Sequence, residues 1–374
     1  MGSGVTAHRR SLGHEVNPKR VQRLMPLMGL EANRNRAAIT SWSPPTPIQH
    51  NRACGSAPGG SNLQVKLVQV PMDLAGKSIH PFRVALVIPT LDPGVIWTEW
   101  LEAFQKQTLR PEFLWIVDSD SQDGYPQKSI SCGFILHKIR RSDFSHGGTR
   151  QWVVEQLSDA DIVVFMTQDA IFADSKSLSN LIDAFNDPSI AAAYGRQLPR
   201  KGASPIEAYA RIFSYPNGSR IKSISDAPEL GIKTAFFSNS FGAFRRSALL
   251  EIGGFPARLN FCEDVYAASK LLLKGWKIAY VSGATVFHSH DYSLWEEFQR
   301  YIRVGAFYGS ERWIVKTFGM AEKEGKKLIM SELGYLIPRH IELIPSALFR
   351  SVLKLIGYRI GEFQSRRKDF HQDQ

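Results

Sequence analysis

Cysteine is scarce: 374 residues include only Cys54, Cys132 and Cys262, too few and too widely spaced for a disulfide framework or a paired metal-ligand motif. That usage fits free thiols in a reducing compartment. Long apolar runs are missing as well. No stretch reaches the ~18 apolar residues that a membrane-spanning helix requires, and no compact apolar leader with a cleavage site opens the chain. The expectation is a cytoplasmic protein, neither secreted nor integral to a membrane. Acidic residues are in deficit, 35 against 46 Lys and Arg, for a formal charge of +11. Whether that excess means nucleic acid depends on where it lies. Residues 1–60 carry +6, residues 61–80 add +1 and residues 293–374 add +4, so residues 81–292 are neutral. A neutral middle excludes a basic groove tracking a phosphate polymer through the core, and no nucleic-acid partner is expected. The basic ends remain candidates for contact with an anionic surface.

What is present is enough apolar material, 43% of residues, to bury a full core. Residues 1–80 are rich in Arg, Asn, Ser, Pro and Gly, with Ser43-Pro44-Pro45-Thr46-Pro47 and Pro58-Gly59-Gly60 as breakers, and are expected to be a disordered basic extension. Their Arg-rich, acid-poor texture also resembles a targeting peptide, and a start codon assigned upstream of Met72 would look the same. From residue 82 the texture changes. Arg83-Val84-Ala85-Leu86-Val87-Ile88-Pro89-Thr90 reads as a strand buried on both faces, a helix is expected from about Ile96 to Gln107, and Phe113 to Val117 reads as a second buried strand. A helix near Thr149–Leu157 and a strand over Asp161–Met166 follow. The pattern is α/β, and its strands end in polar residues: Asp118-Ser119-Asp120, then Thr167-Gln168-Asp169. In an open α/β sheet that edge forms the ligand crevice.

Three constellations carry chemistry. Asp169, just past a buried strand, suits a divalent cation that also touches a substrate phosphate, though a carboxylate there also caps a turn. Glu263 and Asp264 open a helix that Gly275 closes; they complement its dipole, or hold a carboxylate in a cleft to take a proton from an attacking hydroxyl. His288 and His290 follow the strand-like Ala284-Thr285-Val286-Phe287, and alternation puts both imidazoles on one face, for a metal, a phosphate or simply solvent.

In chain order these pieces resemble glycosyltransferase family 2 and, within it, the bacterial rhamnosyltransferases that build O-antigen and related polysaccharides. The resemblance runs from about Val84 to Tyr308, through Val87-Ile88-Pro89-Thr90, Ile116-Val117-Asp118-Ser119, Phe144-Ser145-His146-Gly147-Gly148-Thr149-Arg150, Thr167-Gln168-Asp169-Ala170, Gly253-Gly254-Phe255, Cys262-Glu263-Asp264-Val265 and His288-Ser289-His290. It implies a GT-A fold, a Rossmann-like, mixed and mostly parallel sheet with helices on both faces, as a catalytic domain over 81–292 with a helical C-terminal region over 293–374. Pro89, Thr90, Asp118 and Ser119 match positions that hold the nucleobase and ribose, and Arg150 matches a basic residue near the nucleotide. Asp169 matches the last acid of the metal motif for Mg²⁺ or Mn²⁺, His288 or His290 completes that site, and Asp264 matches the catalytic base of inverting enzymes, with Glu263 in reserve. The donor implied is dTDP-L-rhamnose, or another UDP- or GDP-sugar, and the acceptor a lipid-linked saccharide at the cytoplasmic membrane face. Gln168, Ser119 and Gln151 depart from the family pattern, which carries Asp, Asp and Asn there. The interleaved apolar and basic residues of Tyr335–Phe363, if helical, suit either an anionic bilayer or the catalytic domain. A sugar-phosphate nucleotidyltransferase would share the sheet, but its Gly-rich phosphate loop is replaced by Pro89-Thr90-Leu91-Asp92-Pro93-Gly94.

Overall fold

The computed structural model describes residues 81–319 and 322–369, so the disorder expected over residues 1–80 falls outside the described residues. The described residues open with β1 (Val84–Thr90), α1 (Ile96–Gln105), β2 (Phe113–Asp118) and β3 (Ile135–Lys138). It continues through α2 (His146–Gln156), β4 (Ile162–Met166), β5 (Ile171–Phe172), β6 (Ile190–Leu198), α3 (Pro205–Ser214), β7 (Arg220–Lys222) and β8 (Phe241–Arg245). Then come α4 (Glu263–Leu273), β9 (Lys277–Phe287), α5 (Leu294–Ser310), α6 (Glu322–Leu336) and α7 (Ile344–Asp369), with shorter helical turns between.

Alternation along the strands builds two cores. Ala85, Val87, Val117, Val163 and Phe165 face one side of the sheet, and Val84, Leu86, Ile88, Ile116, Ile162, Val164 and Met166 face the other. Both sides are apolar because helices cover both, which is why these strands read as continuous hydrophobic runs. On one side lie Trp152 and Val153 of α2 with Leu271 and Leu272 of α4; on the other, Trp97, Trp100 and Phe104 of α1 stack in series with ring centroids 4.8 and 5.7 Å apart.

The sheet order is β3-β2-β1-β4-β8-β6-β9-β5, with β7 also paired to β9. β1 is parallel to β2 and β4, β2 to β3, and β6 to β9, whereas β8 runs against both β4 and β6. This mixture has one consequence for function. The carboxyl ends of β1, β2, β4, β6 and β9 and the amino end of β8 all meet at the same edge.

Two glycine motifs interlock beside that edge. A Cβ on Gly147 would run into the Pro256 carbonyl, and one on Gly254, at φ +72°, would run into the Gln151 amide. Gln151 accepts a hydrogen bond from Phe255 N–H at 2.8 Å, so His146-Gly147-Gly148 and Gly253-Gly254-Phe255 dock as one unit.

The C-terminal helices pack partly on the catalytic sheet. Tyr209 of α3 stacks on Tyr335 of α6 at 4.7 Å, and Ile314 and Phe318 are buried in the core between α5 and α6. α5 and α7 approach closely, because Gly305 lies against Tyr358, Gly357 against Phe298 and Gly361 against Ile302. No helix among the described residues is long and apolar enough to cross a membrane.

Candidate active site

At the β1 and β2 end, the residues expected to hold the nucleoside knit to one another. Thr90 Oγ1 donates to Asp118 Oδ1 at 3.0 Å, Ser119 N–H to Thr90 O at 2.8 Å and Ser121 N–H to Asp118 Oδ2 at 3.1 Å. Asp118 is fully buried and Thr90 and Ser119 nearly so, with Pro89 one residue back on β1. They lie at the edge of the sheet where the carboxyl ends of β1 and β2 meet. Asp92, in the left-handed region at φ +43°, accepts from Gln122 N–H at 2.7 Å and pairs with Arg141 at 2.8 Å. Gln168 explains its own departure from Asp: its Oε1 accepts from Leu91 N–H at 2.7 Å while its Nε2 donates to Leu91 O at 3.0 Å. A carboxylate accepts but cannot make the second bond.

Past the ends of β4 and β9, three ligand atoms converge. Nε2 of His288 and Nε2 of His290 are 3.0 Å apart, each 3.4 Å from a different carboxylate oxygen of Asp169, and all lie within 4.8 Å of one another. The two imidazoles share a side, although β9 ends at Phe287 and both lie past the strand. Burial pushes the Asp169 carboxyl up, but the adjacent His288 and His290 outweigh it and hold the group well below the usual carboxylate range. Burial, then the neighbouring His288, lowers His290 to about 4. At neutral pH the cluster therefore holds the Asp169 carboxylate and an uncharged His290 imidazole. An oxygen donor with nitrogen donors fits a divalent transition ion better than Mg²⁺, which prefers oxygen alone.

At the start of α4 the acids separate by environment. Glu263 is buried and spent: it pairs with Arg150 at 3.1 Å and accepts from Asn239 Nδ2 at 3.0 Å. Arg150 is 3% exposed, also donates to His146 O at 3.0 Å, and sits here with the acids rather than with Asp118. Among the described residues Asp264 accepts only from backbone, Asn239 N–H at 3.0 Å and Val265 N–H at 2.8 Å. Removal from water and the adjacent Glu263 charge push its carboxyl up to about 7.

Sequence reasoning missed the segment that joins these clusters. Gln197, at the end of β6, donates to Ser238 Oγ at 2.9 Å and contacts Nδ1 of His288 at 2.9 Å; the next residue, Asn239, holds both acids of α4. Ser238 and Asn239 lie at the amino end of an antiparallel strand, with no apolar pattern or charge to mark them.

A family model described as Glycosyltransferase like family 2 matches residues 133–305. The O-antigen chain rhamnosyltransferase RfbN of Salmonella typhimurium is 43% identical over 281 residues, spanning 75% of this chain and 90% of that protein. The chain belongs to glycosyltransferase family 2. The transferase is also 42% identical to the O-antigen chain rhamnosyltransferase WbaN of Salmonella anatum over 278 residues, 74% of this chain and 88% of that one. Among solved structures, the mannosyltransferase PcManGT from Pyrobaculum calidifontis, in complex with GDP-Man and Mn²⁺, superposes with a TM-score of 0.50 at 17% identity, over 75% of this chain and 77% of that chain. At that identity the likeness speaks for the fold, which is GT-A. The enzyme is a family 2 glycosyltransferase of the rhamnosyltransferase-like branch, working from a nucleotide-sugar donor on a saccharide acceptor.

Proposed function

We propose that this transferase moves L-rhamnose from dTDP-L-rhamnose, with inversion at the anomeric carbon, to a lipid-linked saccharide of the O-antigen type at the cytoplasmic membrane face. The observation that carries the mechanism is the pairing of a converged Asp169-His288-His290 donor set with a carboxyl, Asp264, whose pKa lies near 7. The names of RfbN and WbaN support the sugar and the kind of acceptor.

In this reading Asp264 takes the proton of the acceptor hydroxyl as that oxygen bonds to the anomeric carbon. The bond from that carbon to the diphosphate breaks, and its electron pair leaves with dTDP. A base with pKa near the working pH is the efficient choice, and such assistance contributes ~10²–10⁴-fold. Arg150 keeps Glu263 occupied, which leaves Asp264 as the acid free to act. Asp169, His288 and His290 would hold the cation, Mn²⁺ in preference to Mg²⁺ given two nitrogen donors. Bound there, it supplies Lewis-acid stabilisation to the departing diphosphate. Pro89, Thr90, Asp118 and Ser119 shape the floor under the nucleoside. We assign catalysis to residues 81–292 and membrane contact to the helices of residues 293–374.

Release of nucleoside diphosphate from purified dTDP-, UDP- and GDP-sugars, with Mn²⁺, with Mg²⁺ and with EDTA, tests the reading. Metal-dependent turnover of dTDP-L-rhamnose is expected, fastest with Mn²⁺. Turnover of a UDP- or GDP-sugar instead would keep the family and discard the rhamnosyl donor.

A further inference from the structure

Gln197 touches neither Asp169 nor any expected substrate position, yet it is 3% exposed and makes three polar contacts from one amide. Arg211 of α3 fixes which way that amide faces. A guanidinium only donates, and Nη1 of Arg211 lies 3.2 Å from Oε1 of Gln197, while Ser238 Oγ accepts from Nε2 at 2.9 Å on the other side. The amide oxygen is therefore the atom that meets Nδ1 of His288 at 2.9 Å. An amide oxygen only accepts, so Nδ1 must carry the hydrogen. A neutral imidazole carries one N–H, which leaves a bare lone pair on Nε2. That atom faces Asp169 and His290. The same helix steadies the second imidazole: Arg211 pairs with Glu207 at 2.9 Å, and Glu207 Oε1 accepts from the backbone N–H of His290 at 3.2 Å.

We propose that Gln197, held by Arg211, is a positioning residue that locks His288 in its Nδ1–H tautomer and so presents Nε2 to the cation. The inference rests on the metal reading of Asp169, His288 and His290, and the two are separable by experiment. In metal-free, ¹⁵N-labelled protein at pH 8, long-range ¹H–¹⁵N spectra should give His288 as the Nδ1–H tautomer. Gln197→Met, which keeps the length and removes the acceptor, should release that tautomer and weaken Mn²⁺ binding about 10–100-fold, the usual cost of losing a partner of a metal-bound histidine. Gln197→Glu offers an acceptor to both Arg211 and Nδ1 and should bring Mn²⁺ affinity back to within a few-fold of the parent. An Nε2–H His288 in the parent protein would overturn the proposal. So would a well-folded Gln197→Met that binds Mn²⁺ like the parent, or a Gln197→Glu as weak as the Met variant. If the parent binds no Mn²⁺ and Asp169→Asn changes nothing, the metal reading falls, and the tautomer seen in the spectrum alone decides whether Gln197 sets it.

Discussion

Asp264 accepts two backbone N–H bonds, an arrangement that ordinarily favours the ionised carboxylate, yet its pKa rises to about 7 because loss of water and the charge of Glu263 outweigh them. The sign of its pH dependence follows. Below pH 7 the proton occupies the site and only a fraction of molecules carry the base, so kcat/KM should climb about tenfold per pH unit and level off above pH 7. Replacing Asp264 with Asn should lower kcat by ~10²–10⁴-fold and leave nucleotide affinity nearly unchanged, as measured by steady-state kinetics and calorimetry. Glu263→Gln removes the neighbouring negative charge, so the midpoint should move to lower pH. That variant also leaves the buried Arg150 uncompensated, at a cost of about 3–5 kcal/mol seen as a lower Tm. A Glu263→Gln protein with an unmoved midpoint would show that Glu263 does not set the pKa of Asp264.

At the scale of elements, legibility tracks how much of an element's identity is local. β1, β2 and β4 are readable because both faces are covered and all residues but the closing Thr90 and Asp118 are apolar; β6, with Ala191-Ala192-Ala193, and β8, with Gly242-Ala243, carry little pattern and become strands through their partners. Helix α2 begins at His146, three residues before its expected start at Thr149. Two glycines look like a breaker in sequence, but Ser145 Oγ accepts from Gly148 N–H at 2.9 Å and caps them into the helix. Charged motifs at strand ends announced the site, whereas Gln197, Ser238 and Asn239 act through contacts 14 to 91 residues distant, which no short local window contains. Glycine in helices shows the same dependence on context. At Gly334 of α6 an added Cβ meets nothing within 4 Å, but at Gly361 of α7 it meets the Ile302 carbonyl of α5. The same change to Ala should therefore act in opposite directions in thermal melts: Gly334→Ala stabilising by about 0.5–1 kcal/mol, Gly361→Ala destabilising by about 1–3 kcal/mol as α5 and α7 are forced apart.

For the whole molecule, the question is what α7 does with the side turned away from α5. Arg350 and Lys354 turn inward to Glu297 at 2.9 Å each, while Leu348, Phe349, Val352, Leu355 and Ile356 are left about half exposed. This reverses the usual arrangement of a surface helix, in which charges face water and apolar residues face the protein. Residues 339–369 carry seven Lys and Arg against three acids, so the surrounding charge is positive. An apolar strip in a basic setting suits the surface of an anionic bilayer, where a lipid-linked acceptor would also reside. Burying the exposed halves of Leu355 and Ile356 is worth about 1 kcal/mol each, so Leu355→Glu with Ile356→Glu should lower partitioning onto anionic vesicles by at least about tenfold in sedimentation. Binding should also weaken with salt as the ~10 Å screening length at 0.1 M shortens. Because these residues lie outside the catalytic crevice, turnover of a water-soluble acceptor should be unchanged in the double variant. Equal sedimentation of parent and variant would rule out this face of α7 as the membrane contact, and salt-insensitive binding to neutral vesicles would assign the attraction to the apolar strip alone.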